Sequence, residues 1–109
     1  MDLSEFQDKA FVSAIYPDKG HNFVYPTLGL VGEAGEVAEK VKKVLRDSGG
    51  VVTEETKQTI AGELGDVLWY VAALSTELGL DLSAVARSNI EKLQSRKLRG
   101  KLSGSGDNR

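Results

Sequence analysis

A phrase of six residues occurs twice: Gly32-Glu33-Ala34-Gly35-Glu36-Val37 returns thirty residues later as Gly62-Glu63-Leu64-Gly65-Asp66-Val67. Each copy holds two carboxylates three residues apart, inside a segment of helical periodicity. With a step of about 100° per residue, setting Leu30 at zero puts Val37 near −20°, Glu33 near −60° and Glu36 near −120°. Setting Ile60 at zero gives Val67, Glu63 and Asp66 those same angles. Both acidic pairs therefore flank their apolar stripes on the same side. Two antiparallel helices packed by those stripes would aim four carboxylates at one place. Unpaired buried charge costs several kcal/mol or more, so such a cluster needs a cation. All-oxygen donors suit a hard divalent ion, Mg²⁺ first, with Mn²⁺ as a substitute.

Four helical segments can be drawn. The first runs from about Leu3 to Ile15 and is stopped by Tyr16-Pro17-Asp18-Lys19-Gly20. The second opens at Thr27 as N-cap and runs to about Asp47, with Leu30, Ala34, Val37, Val41 and Val44 as its stripe. The third opens at Thr53, carries Ile60, Leu64, Val67, Val71 and Leu74, and ends at Gly79. The fourth runs from Asp81 to about Leu98. No strand of useful length remains. The expected fold is all-α, an antiparallel bundle of about four helices forming one domain over residues 1–102. Residues 103–109 are Gly/Ser-rich and polar, and are expected to form a flexible tail.

The third helix has a second uncharged face: Gly62, Gly65, Trp69, Ala72 or Ala73, and Thr76. A helix apolar on two faces is buried on both, so this face is expected to meet a second subunit. The bundle is then completed by oligomerisation. Trp69 reads first as a packing residue and second as a surface for stacking on a nucleobase.

Composition narrows the chemistry. Charged residues are 28% of the chain and the net charge is −2, so no basic excess points to nucleic acid or an anionic membrane. The absence of cysteine rules out a disulfide framework, a thiolate metal site and a cysteine nucleophile. Met1-Asp2-Leu3-Ser4-Glu5 is too polar for an export signal, and the longest apolar run, Val67 to Leu74, is far shorter than a membrane span. An intracellular, soluble, cytoplasmic protein is expected. There is no Walker A sequence and no Ser/His/Asp set. His21, the one histidine, sits in a Pro/Gly-rich loop.

Asn89, Lys92 and Arg96 follow i, i+3, i+7 spacing and share one face of the fourth helix. Lys and Arg are the usual partners of phosphate oxygens; equally, cations near a helix C-terminus complement its dipole. Lys40 and Lys43 project near the Glu33/Glu36 side, where they could pair with those carboxylates or reach a substrate. Four carboxylates and an Asn/Lys/Arg stripe together suggest metal-assisted attack of water on a phosphoanhydride. Glu36 or Glu63 would take the proton from water.

These motifs, in this order and spacing from about Leu28 to Gly100, resemble the MazG-like nucleotide pyrophosphohydrolases of the all-α NTP pyrophosphatase superfamily, in their short single-domain form. The resemblance implies Mg²⁺-dependent hydrolysis of an NTP or dNTP to the monophosphate and pyrophosphate. By match, Glu33, Glu36, Glu63 and Asp66 would hold the metal, and Lys92 and Arg96, with Asn89 beside them, would contact phosphates. It also implies a homodimer or dimer of dimers with active sites completed across subunits. Candidates for the base pocket are Phe6, Tyr16, His21, Phe23 and Tyr25, with Trp69. Two other readings stay open: a related phosphohydrolase acting on dUTP or phosphoribosyl-ATP, and a non-catalytic helical interaction module whose carboxylates are solvated or paired with Lys40, Lys43 and Lys92.

Overall fold

The computed structural model describes all 109 residues. It is all-helical: α1 (Leu3–Val12), α2 (Val24–Ser48), α3 (Glu54–Glu77) and α4 (Leu82–Leu98). No helix is long and apolar enough to cross a membrane. Local chemistry sets the ends. Asp2 caps α1 by accepting from the Glu5 amide, and Thr53 and Thr56 form a reciprocal capping box at α3. Gly49, at φ 60°, ends α2 in the left-handed region where a side chain would be strained. α2 begins at Val24, three residues before the expected Thr27. Asn22 Oδ1 accepts from the Tyr25 amide, and Pro26, fully buried in the first turn, has no N–H to satisfy.

The short Gly49–Thr53 connection folds α3 back on α2, the most extensive packing in the chain. The seam runs through Leu30, Glu33, Val37, Lys40 and Val44 on α2, facing Ile60, Glu63, Val67 and Tyr70 on α3, all at least half-buried. It is rotated from the expected stripes. Ala34, Val41 and Leu64 are exposed, while Glu33 and Glu63 enter the seam they were expected to flank.

The C-terminal half of the third helix's second apolar face, from Trp69 to Thr76, meets α1, where a second subunit was expected. Ala72 and Ala73 are fully buried against Ala10, Ala14, Tyr16 and Leu82, with Trp69 packed on both clusters. Small residues on both sides let α1 approach closely. Gln7 ties α1 to the α3–α4 turn, donating from Nε2 to Thr76 Oγ1 (3.1 Å) and Leu80 O (2.7 Å) and accepting from the Leu82 amide (2.8 Å). Gly62 and Gly65 have no neighbour that an added methyl would meet. α4 packs chiefly on α1.

One chain leaves much apolar surface uncovered. Only 11 of 109 residues are buried. The accessible area is 7495 Å², against roughly 5,900 Å² for a compact monomer of this size. The radius of gyration is 16.7 Å, against about 13 Å. Val31, Ala34, Ala38, Val41 and Leu45 form an exposed stripe along α2 at alternating spacings of three and four.

Gly29 seats the ring of Tyr70: a Cβ there would fall inside van der Waals contact with that ring. Gly29→Ala gains about 1 kcal/mol of helix propensity but incurs an overpacking cost of about 1–3 kcal/mol. A net loss of stability is expected in thermal denaturation. A raised melting temperature would contradict the close approach.

Candidate functional site

The seam brings the two copies of the acidic phrase together. One carboxylate oxygen from each of Glu33, Glu63 and Asp66 lies within 4.8 Å of the others. Glu33 and Glu63 are half-buried and Asp66 is exposed. Glu36 lies one turn along α2, exposed, and is not among the three. Partial withdrawal from water, then the charge of Asp66, then Glu63 as hydrogen-bond partner and charge, and then Glu36, hold the Glu33 carboxyl above its ordinary value.

No basic side chain neutralises this group. Lys42 and Lys43 pair with Glu39 at 2.8 and 3.6 Å, Arg46 with Asp47, and Lys92 and Arg96 with Asp107. Lys40 lies two turns from Glu33, in a recess it shares with Lys43, Asp47 and Glu55. The lysines expected near the acidic pairs are engaged or placed elsewhere.

Beside the triad is an open recess of about 420 Å³. Glu33 and Asp66 line one side, and Ser13, Ile15, Tyr16, Tyr25, Trp69 and Tyr70 line the rest. The aromatic rings form a connected wall. Tyr16 stacks on Tyr25, centroids 5.0 Å apart and 19° between planes. Trp69 stands edge-on to Tyr16 at 6.5 Å and to Tyr70 at 5.0 Å. Trp69 Nε1 donates to Ser13 Oγ at 2.9 Å. Burial first, and then its hydrogen bond to Glu77, push the Tyr16 phenol well above its ordinary pKa. The rings suit a flat ligand, and the carboxylates beside them would admit an anionic part of it only across a bound cation.

Among the other candidates, Tyr25 and Trp69 line the recess. His21 does not; it is exposed in the α1–α2 loop, as is Phe23 at its end. Phe6 packs against the Ala10–Ala72–Leu82 cluster. Asn89 and Lys92 line a groove along α4 with Asp107. Lys92 Nζ lies 2.7 Å from Asp107 Oδ1, and the buried Arg96 donates to the Asp107 carbonyl. Within one chain Lys92 and Arg96 are therefore engaged by Asp107, and neither is paired with the triad. Sequence reasoning passed over Tyr70 and Glu77. Both repeat the phase of Glu63 at intervals of seven, so the helical step marks them as residues of one face.

Residues 26–99 match the family model of the MazG nucleotide pyrophosphohydrolase domain. The chain is also similar to the gene 37 protein of Mycobacterium phage L5, 52% identical over 114 aligned positions that cover the whole of both. No solved structure matches it.

A carboxyl held above its ordinary pKa keeps, in the folded state, a proton that the unfolded chain has released. The contribution of Glu33 to stability is full below the ordinary carboxylate pKa and is lost as pH rises through the raised folded value. In EDTA, melts of the wild type and Glu33→Gln between about pH 4 and pH 7 are expected to diverge, the wild type losing more stability as pH rises. Parallel curves would show that the three carboxylates do not interact.

Proposed function

The chain belongs to the MazG nucleotide pyrophosphohydrolase family, and from that premise we propose that it hydrolyses an NTP or dNTP to the monophosphate and pyrophosphate with Mg²⁺ bound to the carboxylates of α2 and α3. One observation carries this reading: three carboxylates converge within 4.8 Å with no lysine or arginine paired to them. An interaction module with solvated or salt-bridged acids has no reason to press like charges together. The donor set, all carboxylate oxygen and partly open to solvent, fits Mg²⁺ or Mn²⁺. Glu33, Glu63 and Asp66 would hold the ion, with Glu36 next to them. When bound, the ion polarises phosphoryl oxygens and neutralises charge on the leaving pyrophosphate.

The chain's own residues supply the rest. The aromatic wall of Tyr16, Tyr25, Trp69 and Tyr70 takes the base, and the carboxylates on the other side of the recess face the triphosphate. Glu36 is exposed and outside the triad, and accepts the proton of the attacking water, with Glu63 next in reach of that role. The water oxygen bonds to phosphorus, one phosphoanhydride P–O bond breaks, and pyrophosphate leaves with the electron pair. Lys92 and Arg96, with Asn89, bind phosphate oxygens. Because α4 packs on α1, these cations reach a triad by coming from a second copy of the chain. His21 and Lys40 lie outside the recess and have no part in this reading.

The second copy has independent support. The excess accessible area, about 1,600 Å² over a compact monomer, exceeds the roughly 800 Å² per partner of a standard interface. The stripe Val31, Ala34, Ala38, Val41 and Leu45 provides an apolar seam for it. A homodimer, or a dimer of dimers, buries that stripe.

Product analysis on a panel of canonical and modified NTPs and dNTPs, with dUTP and phosphoribosyl-ATP included, tests the reaction. Pyrophosphate with equimolar monophosphate is expected in Mg²⁺ and not in EDTA. Asp66→Asn and Glu36→Gln should each lower turnover by about 100-fold or more while the variants stay folded. Full turnover in both variants would sink the assignment. Separately, Val41→Asp should shift the mass measured by light scattering toward the monomer, with loss of activity. An unchanged mass would place the partner face elsewhere.

A further inference from the structure

Glu77, the last residue of α3, lies outside the metal cluster and does not line the recess. Its position is unfavourable for an anion, because a helix C-terminus carries partial negative charge. Three donors compensate, and all come from the loop between α1 and α2. Glu77 Oε2 accepts from Tyr16 Oη at 2.6 Å and from the Gly20 amide at 2.8 Å. Oε1 accepts from the Asn22 amide at 2.8 Å. Burial opposes the charge, yet these hydrogen bonds and the nearby His21 hold the carboxyl below its ordinary pKa.

The loop held in this way carries Tyr16 and leads directly into Tyr25 in the first turn of α2, two of the four rings of the aromatic wall. Tyr16 is buried where its hydroxyl meets Glu77, and stacks on Tyr25. Asn22, fixed by its amide, turns its side chain to cap α2 at the Tyr25 amide (3.0 Å) and donates to Pro17 O (2.8 Å). The other two rings, Trp69 and Tyr70, sit on α3 itself. One carboxylate at the end of α3 thus ties the segment that carries Tyr16 and leads into Tyr25 to the helix that carries Trp69 and Tyr70.

We propose that Glu77 is a positioning residue: it clamps the α1–α2 loop so that Tyr16 and Tyr25 close the wall against which the nucleobase stacks. The inference rests on the nucleotide reading above and adds to it the group that shapes the base site. It leaves triphosphate binding and the chemical step to other residues. Loss of the clamp should therefore weaken recognition of the base alone.

Glu77→Gln removes the charge and cannot satisfy all three donors with one carbonyl oxygen. It is expected to raise KM for nucleoside triphosphates by about tenfold or more, the scale of a charge-assisted hydrogen bond, with kcat little changed. Inhibition by inorganic tripolyphosphate, which has no base, should be unaffected. Tyr16→Phe keeps the ring and deletes one donor, and should show the same split in milder form; it also stands in if Glu77→Gln fails to fold. Trypsin cleavage after Lys19, within the clamped loop, reads loop order without any nucleotide and should accelerate in Glu77→Gln. Unchanged cleavage at Lys19, or equal weakening of nucleotide and tripolyphosphate, would overturn the proposal. If Lys19 cleavage accelerates but the wild type hydrolyses no nucleotide and its one tryptophan, Trp69, shows no fluorescence change with any, the clamp stands as loop chemistry while its role in base binding falls with the functional reading.

Discussion

The repulsion among Glu33, Glu63 and Asp66 is the constraint on which the rest of this structure depends. Helix packing would ordinarily turn such groups outward, where water screens them. Here the α2–α3 seam holds two of them half-buried within 4.8 Å of a third. The lysines of α2 that might have relieved the charge are engaged with Glu39 or lie beyond reach. The seam is stable only if the apolar pairs on either side, Leu30 and Val37 against Ile60 and Val67, outweigh that cost, or if a cation removes it. Under the proposed metal reading, an ion that relieves this repulsion would couple its own binding to the stability of the fold.

The division of labour among the helices follows from that seam. α2 and α3 carry the acids. α1 and the loop after it lie over the C-terminal half of α3 and build an aromatic wall next to the acids, fastened by Gln7 at one end and Glu77 at the other. α4 packs on α1 and presents its cations to residues 103–109. A single chain is open in shape and leaves an apolar stripe exposed along α2, the feature on which the proposed dimer rests.

Much of this was legible in the sequence. The duplicated phrase fixed the pairing of α2 with α3, because identical phase on antiparallel helices leaves one meeting point for the acids. The four helices, their order and most of their ends follow from periodicity and from Thr53, Asp81, Gly49 and Gly79. The lines Leu30-Val37-Val44 and Ile60-Val67 do face inward as their periodicity implies; the rotation about them was not legible, because a hydrophobic pattern places Ala34, Val41 and Leu64 inside and Glu33 and Glu63 beside the seam, the reverse of what is found. Nor does a pattern say which element covers a second apolar face, and α1 covers Trp69, Ala72 and Ala73 where a partner subunit was expected. The placement of α4 depends on the α3–α4 turn and Gln7, a long-range contact that no local pattern encodes. The start of α2 was missed because Asn22 caps it from within a segment read as loop.

The measurement that bears most directly on the carboxylate centre is equilibrium binding of Mn²⁺, followed by electron paramagnetic resonance, to the wild type and to Glu63→Gln. The wild type should bind the ion in stoichiometric amount, and Glu63→Gln, still helical by circular dichroism, should lose most of that binding. A folded wild type that leaves Mn²⁺ free in solution, or a variant that binds it equally well, would mean that the three carboxylates are not a metal site, and the proposed chemistry would fall with it.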